Sequence, residues 1–334
     1  MPTFAKAVAS GLILVGALAA QAATDCRQRS VIMGVFDATG EPIKGLGPGK
    51  FKASYQSRQA SVLFAGGRED PGTRVVVLLD ASASMAGAVD SSKWKLARTA
   101  ASDFLASAPA QAQISLMTFA ASVDRSFEAA AGRQVMEDWL GAAGAAPPKA
   151  AAKTALYSAI VEALKKLEPS RPGDAIYVIT DGGENASEIK RATVERGLVA
   201  SGVRLFSFLL NDLYPGSREG TGSRELYELA QASGGMTFTV HPRGPGTGWA
   251  ASGFAGRAGY DEREEKIVHT TNRWAQAAIS NFYILTVAIP EASPQPEDWK
   301  LEVLDPLGKV RKDVTVAYAR KLAGCGDSVA AARL

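Results

Sequence analysis

Two cysteines, two histidines and almost no net charge set the first limits on this chain of 334 residues. Cys26 and Cys325 alone cannot build a cysteine-rich zinc module. His241 and His269 alone leave histidine-based catalysis few candidates, and both read as structural or solvent-facing. The 37 basic and 34 acidic residues leave a formal charge of +3, too weak a field to gather nucleic acid. No Gly-x-Ser-x-Gly, His-Glu-x-x-His or Gly-x-x-x-x-Gly-Lys motif occurs. Ser92-Lys93-Trp94-Lys95 fits the Ser-x-x-Lys pattern of acyl-enzyme hydrolases, but its companion motifs are missing, so Lys93 reads as the exposed start of a helix. Hydrophobic residues at 46% and charged residues at 21% exclude collagen, coiled coil and general disorder.

The one apolar run that approaches the length of a membrane span is at the N-terminus. Lys6, an uncharged stretch from Ala7 to Ala20 and the Ala20-Gln21-Ala22 triplet form an export-signal pattern over residues 1–23. The run is short beside the ~20 residues of a spanning helix, although an uncleaved anchor is the competing reading. The expected mature protein has no membrane span and is periplasmic or secreted. In an oxidising compartment Cys26 and Cys325 are expected to pair, with two separate thiols as the alternative. Asn185-Ala186-Ser187 is a glycosylation-type triplet that reads as coincidence.

Residues 31–37, Phe51–Tyr55 and Ala60–Phe64 have strand character, and Gly66–Gly72 reads as a linker. From residue 74 the texture changes. Arg74-Val-Val-Val-Leu-Leu-Asp80 and Ala175-Ile-Tyr-Val-Ile-Thr-Asp181 are continuous apolar runs ending in a carboxylate, the signature of parallel strands buried on both faces. Val203–Leu210 and Met236–Val240 follow suit. Between them, helical periodicity marks 92–108, 134–140, 156–167, 187–200, 223–233 (Ser223 as N-cap) and 264–281. Phe282–Ile289, Trp299–Leu304 and Val310–Tyr318 again read as strands. The expected fold is α/β: a doubly wound, mostly parallel sheet inserted in a small β accessory domain. The expected division is a signal peptide at 1–23, β pieces at 26–66 and 282–325, and the α/β domain at 72–281.

In open parallel sheets ligands bind beyond the carboxyl ends of strands, where the strand order reverses. Asp80-Ala-Ser82-Ala-Ser84 follows one apolar strand, Asp181 follows another, and Thr154 opens a helix, either as its cap or as a ligand. Two carboxylates and three hydroxyls are hard donors that select Mg²⁺, with Mn²⁺ or Ca²⁺ as alternatives, over thiophilic metals. Such a shell leaves positions open, and an adjacent helix N-terminus favours an incoming anion.

This pattern resembles the von Willebrand factor A domain and its metal-ion-dependent adhesion site, in which Asp-x-Ser-x-Ser is joined by a distant Thr and by the Asp of a Thr-Asp-Gly turn. Asp80, Ser82, Ser84, Thr154 and Asp181 stand at the five positions. The resemblance implies that Ser82, Ser84 and Thr154 coordinate the ion, with Asp80 and Asp181 acting directly or through water. The layout is similar to bacterial exported proteins related to that family, which carry an Asp-x-x-Gly-x-Pro turn in a β lead-in, here Asp37, Gly40 and Pro42. The implied function is non-enzymatic: an exported binding or adhesion module that grips an Asp or Glu of a protein partner through the divalent ion. An envelope assembly scaffold and a metal-dependent hydrolase are the alternatives. Asn211–Gly222 and Pro242–Gly259, the latter with Trp249 and Phe254 and followed by Tyr260, are the loops expected to set specificity.

Overall fold

A computed structural model describes residues 26–70, 72–86, 92–143, 152–210, 218–240, 247–248, 257–258 and 262–325. The export-signal reading, residues 211–217 of the Asn211–Gly222 loop, His241, most of the 242–259 loop with Trp249 and Phe254, and Tyr260 fall outside the described residues, while 218–222 are helix and not loop.

The chain opens with β1 (Gln28–Phe36), β2 (Phe51–Tyr55) and β3 (Arg58–Glu69). It continues through β4 (Arg74–Asp80), α1 (Ala83–Ala86), α2 (Ser92–Ser107), β5 (Gln113–Phe119), β6 (Val123–Phe127) and α3 (Arg133–Ala142). Next come α4 (Leu156–Lys166), β7 (Ala175–Thr180), α5 (Arg191–Ser201), β8 (Arg204–Leu210), α6 (Arg218–Ser233) and β9 (Thr237–Val240). A two-stranded pair, β10 (Thr247–Gly248) and β11 (Arg257–Ala258), precedes α7 (Glu262–Ser280). The chain closes with β12 (Asn281–Ala288), β13 (Glu297–Val303), β14 (Thr315–Tyr318) and β15 (Lys321–Leu322).

The central sheet has the order β6-β5-β4-β7-β8-β9, parallel except for the β5–β6 pair. Why β4 reads as an unbroken apolar run is visible in its contacts. Val75, Val77 and Leu79 join one core with α2, α3 and α7, while Val76 and Leu78 join the opposite core with α4, α5 and α6. Both faces are covered, so alternation is lost. From β4 the chain moves outward to β5 and then returns to the other side as β7, so the order reverses between β4 and β7. The Rossmann-like expectation is met, and the crevice at this reversal is where Asp80 and Asp181 emerge.

The second sheet is antiparallel, ordered β14-β1-β12-β3-β2-β13-β15. Residues 315–322 supply both of its edges, so it curls into a ring. The closure is made by Leu301 N donating to Tyr318 Oη (3.0 Å) and Trp299 Nε1 donating to the Ala319 carbonyl (2.6 Å). Val31, Met33 and Val35 alternate inward and meet Tyr283, Leu285 and Val287 and then Trp299, Leu301 and Val303 in one core. Cys26 and Cys325 form a disulfide with Cα atoms 5.6 Å apart.

Several local expectations are revised. Residues 66–69 are strand, not linker, because β3 continues its register with β12 through Gly66↔Ile284 and Gly67↔Tyr283. Helix α6 begins at Arg218, so Ser223 lies inside the helix and is not its N-cap. Helix α5 starts at Arg191 because Ser187 is engaged elsewhere, accepting a hydrogen bond from Ser158 N. Strand β14 is limited to 315–318.

The two sheets meet at a clasp. Helix α7 runs directly into β12, and Asp70 N donates to the Ser280 carbonyl (2.8 Å), so the chain enters and leaves the α/β layer at one place. Buried Arg204 donates to the carbonyls of Ala278 (2.8 Å) and Ile279 (2.7 Å) at the end of α7, and to that of Gly173 (3.3 Å). Its guanidinium lies 5.0 Å from the Phe282 ring centroid and 5.3 Å from that of Phe206. Burial pushes its pKa down to about 9, against the pull of Asp174. The Asp37 turn docks on the same helix. Asp37 Oδ1 accepts from Thr39 Oγ1 and from two backbone amides, and the Thr39 hydroxyl leads in holding its carboxyl below the usual range. Gly40, at φ +85°, packs against the Trp274 ring, which a Cβ would meet at 2.6 Å.

Candidate metal centre

Asp80 is the last residue of β4 and is fully buried. Its Oδ1 accepts from Ser82 N (2.8 Å), an Asx-type turn that fixes the start of the Asp-x-Ser-x-Ser loop. Its Oδ2 accepts from Thr180 Oγ1 (2.6 Å), which itself accepts from Gly182 N (3.0 Å). The β4 carboxylate is thereby tied to the turn after β7. The Ser82 and Ser84 hydroxyls lie 3.1 Å apart, Ser82 buried and Ser84 exposed, so the pair opens toward solvent at Ser84.

Thr154 is buried beside that turn: Asn185 N donates to its carbonyl (3.0 Å), and its amide donates to Asn185 Oδ1 (2.8 Å). A Cβ placed on Gly183 would lie 3.7 Å from Thr154 Oγ1. Thr154 does not cap α4, correcting one expectation for it. The cap position is Ala155, with no side-chain bond, and Ala155 N donates to the Ala120 carbonyl (2.6 Å). The orphan amides of α4 are taken by the loop after Asp181 instead, with Glu184 accepting from Tyr157 N (2.7 Å) and Ser187 Oγ from Ser158 N (3.1 Å). The Thr154 hydroxyl is therefore not needed by the helix. Asn185, singled out only for its glycosylation-type triplet, spends its side-chain oxygen holding Thr154.

Asp181 is buried, and Lys93 Nζ stands 3.3 Å from its Oδ2. Its Oδ1 is buried with no hydrogen-bond partner. The helix does start at Ser92 and Lys95 is exposed, but Lys93 and Trp94 are buried, which corrects the reading of Lys93 as solvent-exposed. The periodicity held the signal: Lys93 precedes Ala97 and Ala101 by four and eight residues, on the face of α2 that packs into the core. Burial first, and the charge of Asp181 second, raise the Asp80 carboxyl above its ordinary value.

Two glycines let α6 approach the turn. Gly182 has φ +93°, and a Cβ on Gly222 would fall 1.7 Å from the Gly182 carbonyl oxygen. Tyr157, whose hydroxyl donates to Glu225 (2.6 Å), links α4 to α6 at the same rim, and burial and that carboxylate hold its phenol above the usual range.

The residues present fit a hard divalent cation. A buried carboxylate oxygen without a hydrogen-bond partner has a need that a cation or its water can meet, and the neighbouring groups are hydroxyl and carboxylate oxygens. Among the described residues no group of three or more His, Cys, Asp and Glu side chains gathers.

An open, mostly parallel α/β sheet with hydroxyls and carboxylates at its strand-order reversal defines the Rossmann-like class of fold. Within it, residues 75–184 match the family model for the von Willebrand factor type A domain. No curated protein matches the chain. Among solved structures, an aerotolerance-related membrane protein from Bacteroides fragilis is 18% identical, over 62% of this chain and 98% of its own, with a TM-score of 0.42. Proximal thread matrix protein 1 from the mussel byssus, with a zinc-occupied MIDAS motif, is 14% identical over 66% of this chain and 49% of its own, with a TM-score of 0.46. A von Willebrand factor type A protein from Catenulispora acidiphila is 12% identical over 92% of this chain and 76% of its own, with a TM-score of 0.34.

Proposed function

We propose that the chain is an exported, non-enzymatic binding module that holds an acidic residue of a partner protein through a divalent ion at Asp80, Ser82, Ser84, Thr154 and Asp181. The observation that carries this reading is the buried, unpartnered Oδ1 of Asp181 at the strand-order reversal. The ion, Mg²⁺ by donor hardness, supplies a coordination position for a carboxylate. The protein's own groups do the rest. Ser82, Ser84 and the released Thr154 hydroxyl are neutral donors that leave positive charge on the centre. Asp80 is held by Ser82 and Thr180, which fits it to act through water. Exposed Ser84 marks the side from which a guest enters.

The non-enzymatic reading is supported by Asp80, whose two oxygens each accept a hydrogen bond, and by Asp181, whose Oδ2 faces Lys93. Export fits the Cys26–Cys325 disulfide, and no helix among the described residues is long and apolar enough to cross a membrane. In this reading residues 26–66 and 282–325 form the accessory unit around an α/β domain at 72–281.

The test is a pull-down from the native envelope with Mg²⁺, repeated with chelator and with Asp80→Ala and Ser82→Ala. A partner retained only by the Mg²⁺-treated wild type supports the reading. A partner retained equally in chelator overturns it.

A further inference from the structure

The buried ammonium of Lys93 has no place in the five-residue constellation, yet it sits against one of its carboxylates. Its side chain is 9% exposed and that of Asp181 is 1% exposed, so solvent screens the pair little. Lys93 takes Oδ2 of Asp181, while Oδ1 has no hydrogen-bond partner. The lysine thus supplies the positive charge that a buried carboxylate requires while leaving one oxygen for something else.

We propose that Lys93 is a resident competitor for the divalent ion at Asp181, a residue that sets how readily the centre loads. The inference rests on reading the five positions as a cation site. Among the described residues, Asp80, Asp181 and Lys93 in their charged forms sum to one surplus negative charge, and a dication reverses that to one surplus positive charge. An entering ion therefore either repels the ammonium at close range or drives it away from Asp181. Both outcomes weaken binding relative to the same carboxylates without the lysine. At an effective dielectric of ~20, a unit charge a few Å from a dication changes affinity by more than about tenfold. Lys93 leaves from the first turn of α2, and the chain on either side of the hydroxyl loop, β4 and α2, belongs to one core. Movement of the ammonium away from Asp181 thus asks for new side-chain torsions, not for a new backbone.

The experiment is a Mn²⁺ titration of the full chain, by calorimetry and by the electron paramagnetic resonance signal of free Mn²⁺, on wild type, Lys93→Met and Lys93→Arg. Lys93→Met keeps most of the stem and removes the charge, and is expected to bind Mn²⁺ about tenfold or more tighter than wild type. Lys93→Arg keeps the charge and is expected to stay within about threefold of wild type. In chelator, Lys93→Met is expected to melt below wild type and to gain more from Mn²⁺. If Lys93→Met does not yield folded protein, Lys93→Gln, which can still donate to Asp181, carries the same expectation of tighter binding. Wild-type binding with an unchanged or weaker Lys93→Met overturns the competitor role and leaves the cation site standing. Absence of Mn²⁺ binding in folded wild type and folded variant overturns the cation site, and the inference with it.

Discussion

Replacing Arg204 with Met tests the clasp between the two sheets. Asp174 does not become an orphan charge in the variant, because Arg74 Nε still donates to its Oδ1 (2.9 Å) and Arg171 N to its Oδ2 (2.7 Å). The loss falls on three carbonyls. Those of Ala278 and Ile279 lie in the last turn of α7, where no intrahelical donor reaches them, and both residues are buried. The third bond, to Gly173, is longer at 3.3 Å and contributes less. An orphaned buried acceptor costs about 1–3 kcal/mol, and the two ring contacts add ~1 kcal/mol or more. Against this stands relief from burying a guanidinium, the same burial that lowers its pKa. The net expectation is a loss of about 3–5 kcal/mol, or a fall in melting temperature on the order of 10 °C. Thermal and guanidinium unfolding followed by circular dichroism read it directly. Native-state hydrogen exchange should show faster exchange localised to the last turn of α7 and the first residues of β12. A variant that melts within about 2 °C of wild type would refute the view that Arg204 holds this junction.

Reducing the Cys26–Cys325 bond opens a loop with a sequence separation of 299, and the chain-entropy estimate puts the loss at roughly 5–6 kcal/mol; unfolding with and without dithiothreitol checks it. Gly222→Ala drives a Cβ to 1.7 Å from the Gly182 carbonyl oxygen, so it should cost several kcal/mol, ~3 or more, and also blunt any metal-induced rise in melting temperature, by displacing the Thr-Asp-Gly turn. Asp80→Asn should melt at or above wild type in chelator while losing its response to Mn²⁺, because it removes a charge that burial disfavours, keeps one oxygen to accept from Ser82 N and can donate its amide to a reoriented Thr180 hydroxyl. The sign with pH follows. Asp80 holds its proton to higher pH in the folded protein than in the unfolded chain. Its contribution is therefore most favourable below the ordinary value of 3.8 and is lost as pH rises through the raised folded value. Metal binding needs the charged form, so stabilisation by Mg²⁺ should grow from pH 5 to pH 8 in wild type and vanish in Asp80→Asn.

Much of the α/β layer was legible because its signals are strong and local. Double-sided burial erases alternation in β4 and β7, and the apolar spacing of Leu156, Ile160 and Leu164 leaves α4 little freedom. The positions of Asp80 and Asp181 were legible for the same reason, since each closes such a run. What escaped was decided between elements. The glycines at 66 and 67 signal a break locally, yet β12 offers them a ladder of partners. Ser223 has the chemistry of a cap, but the chain before it is drawn into helix where Gly222 must pass close to Gly182. Lys93 is charged and near a helix start, which suggests solvent, and only the acid it faces across the fold explains its burial. The cap alternative for Thr154 fails because the groups that take the α4 amides, on Glu184 and Ser187, lie about thirty residues downstream.

The closed ring with its single covalent staple has a mechanical consequence. Tension applied to the two ends of the protein enters at Cys26 and leaves at Cys325, crossing between them through one sulfur–sulfur link. The 298 residues in between lie off the load path, including the crevice at Asp80 and Asp181. Pulled through the chain on either side of 26 and 325, the molecule keeps that crevice undeformed until a reductant cuts the link and passes the strain to the strands.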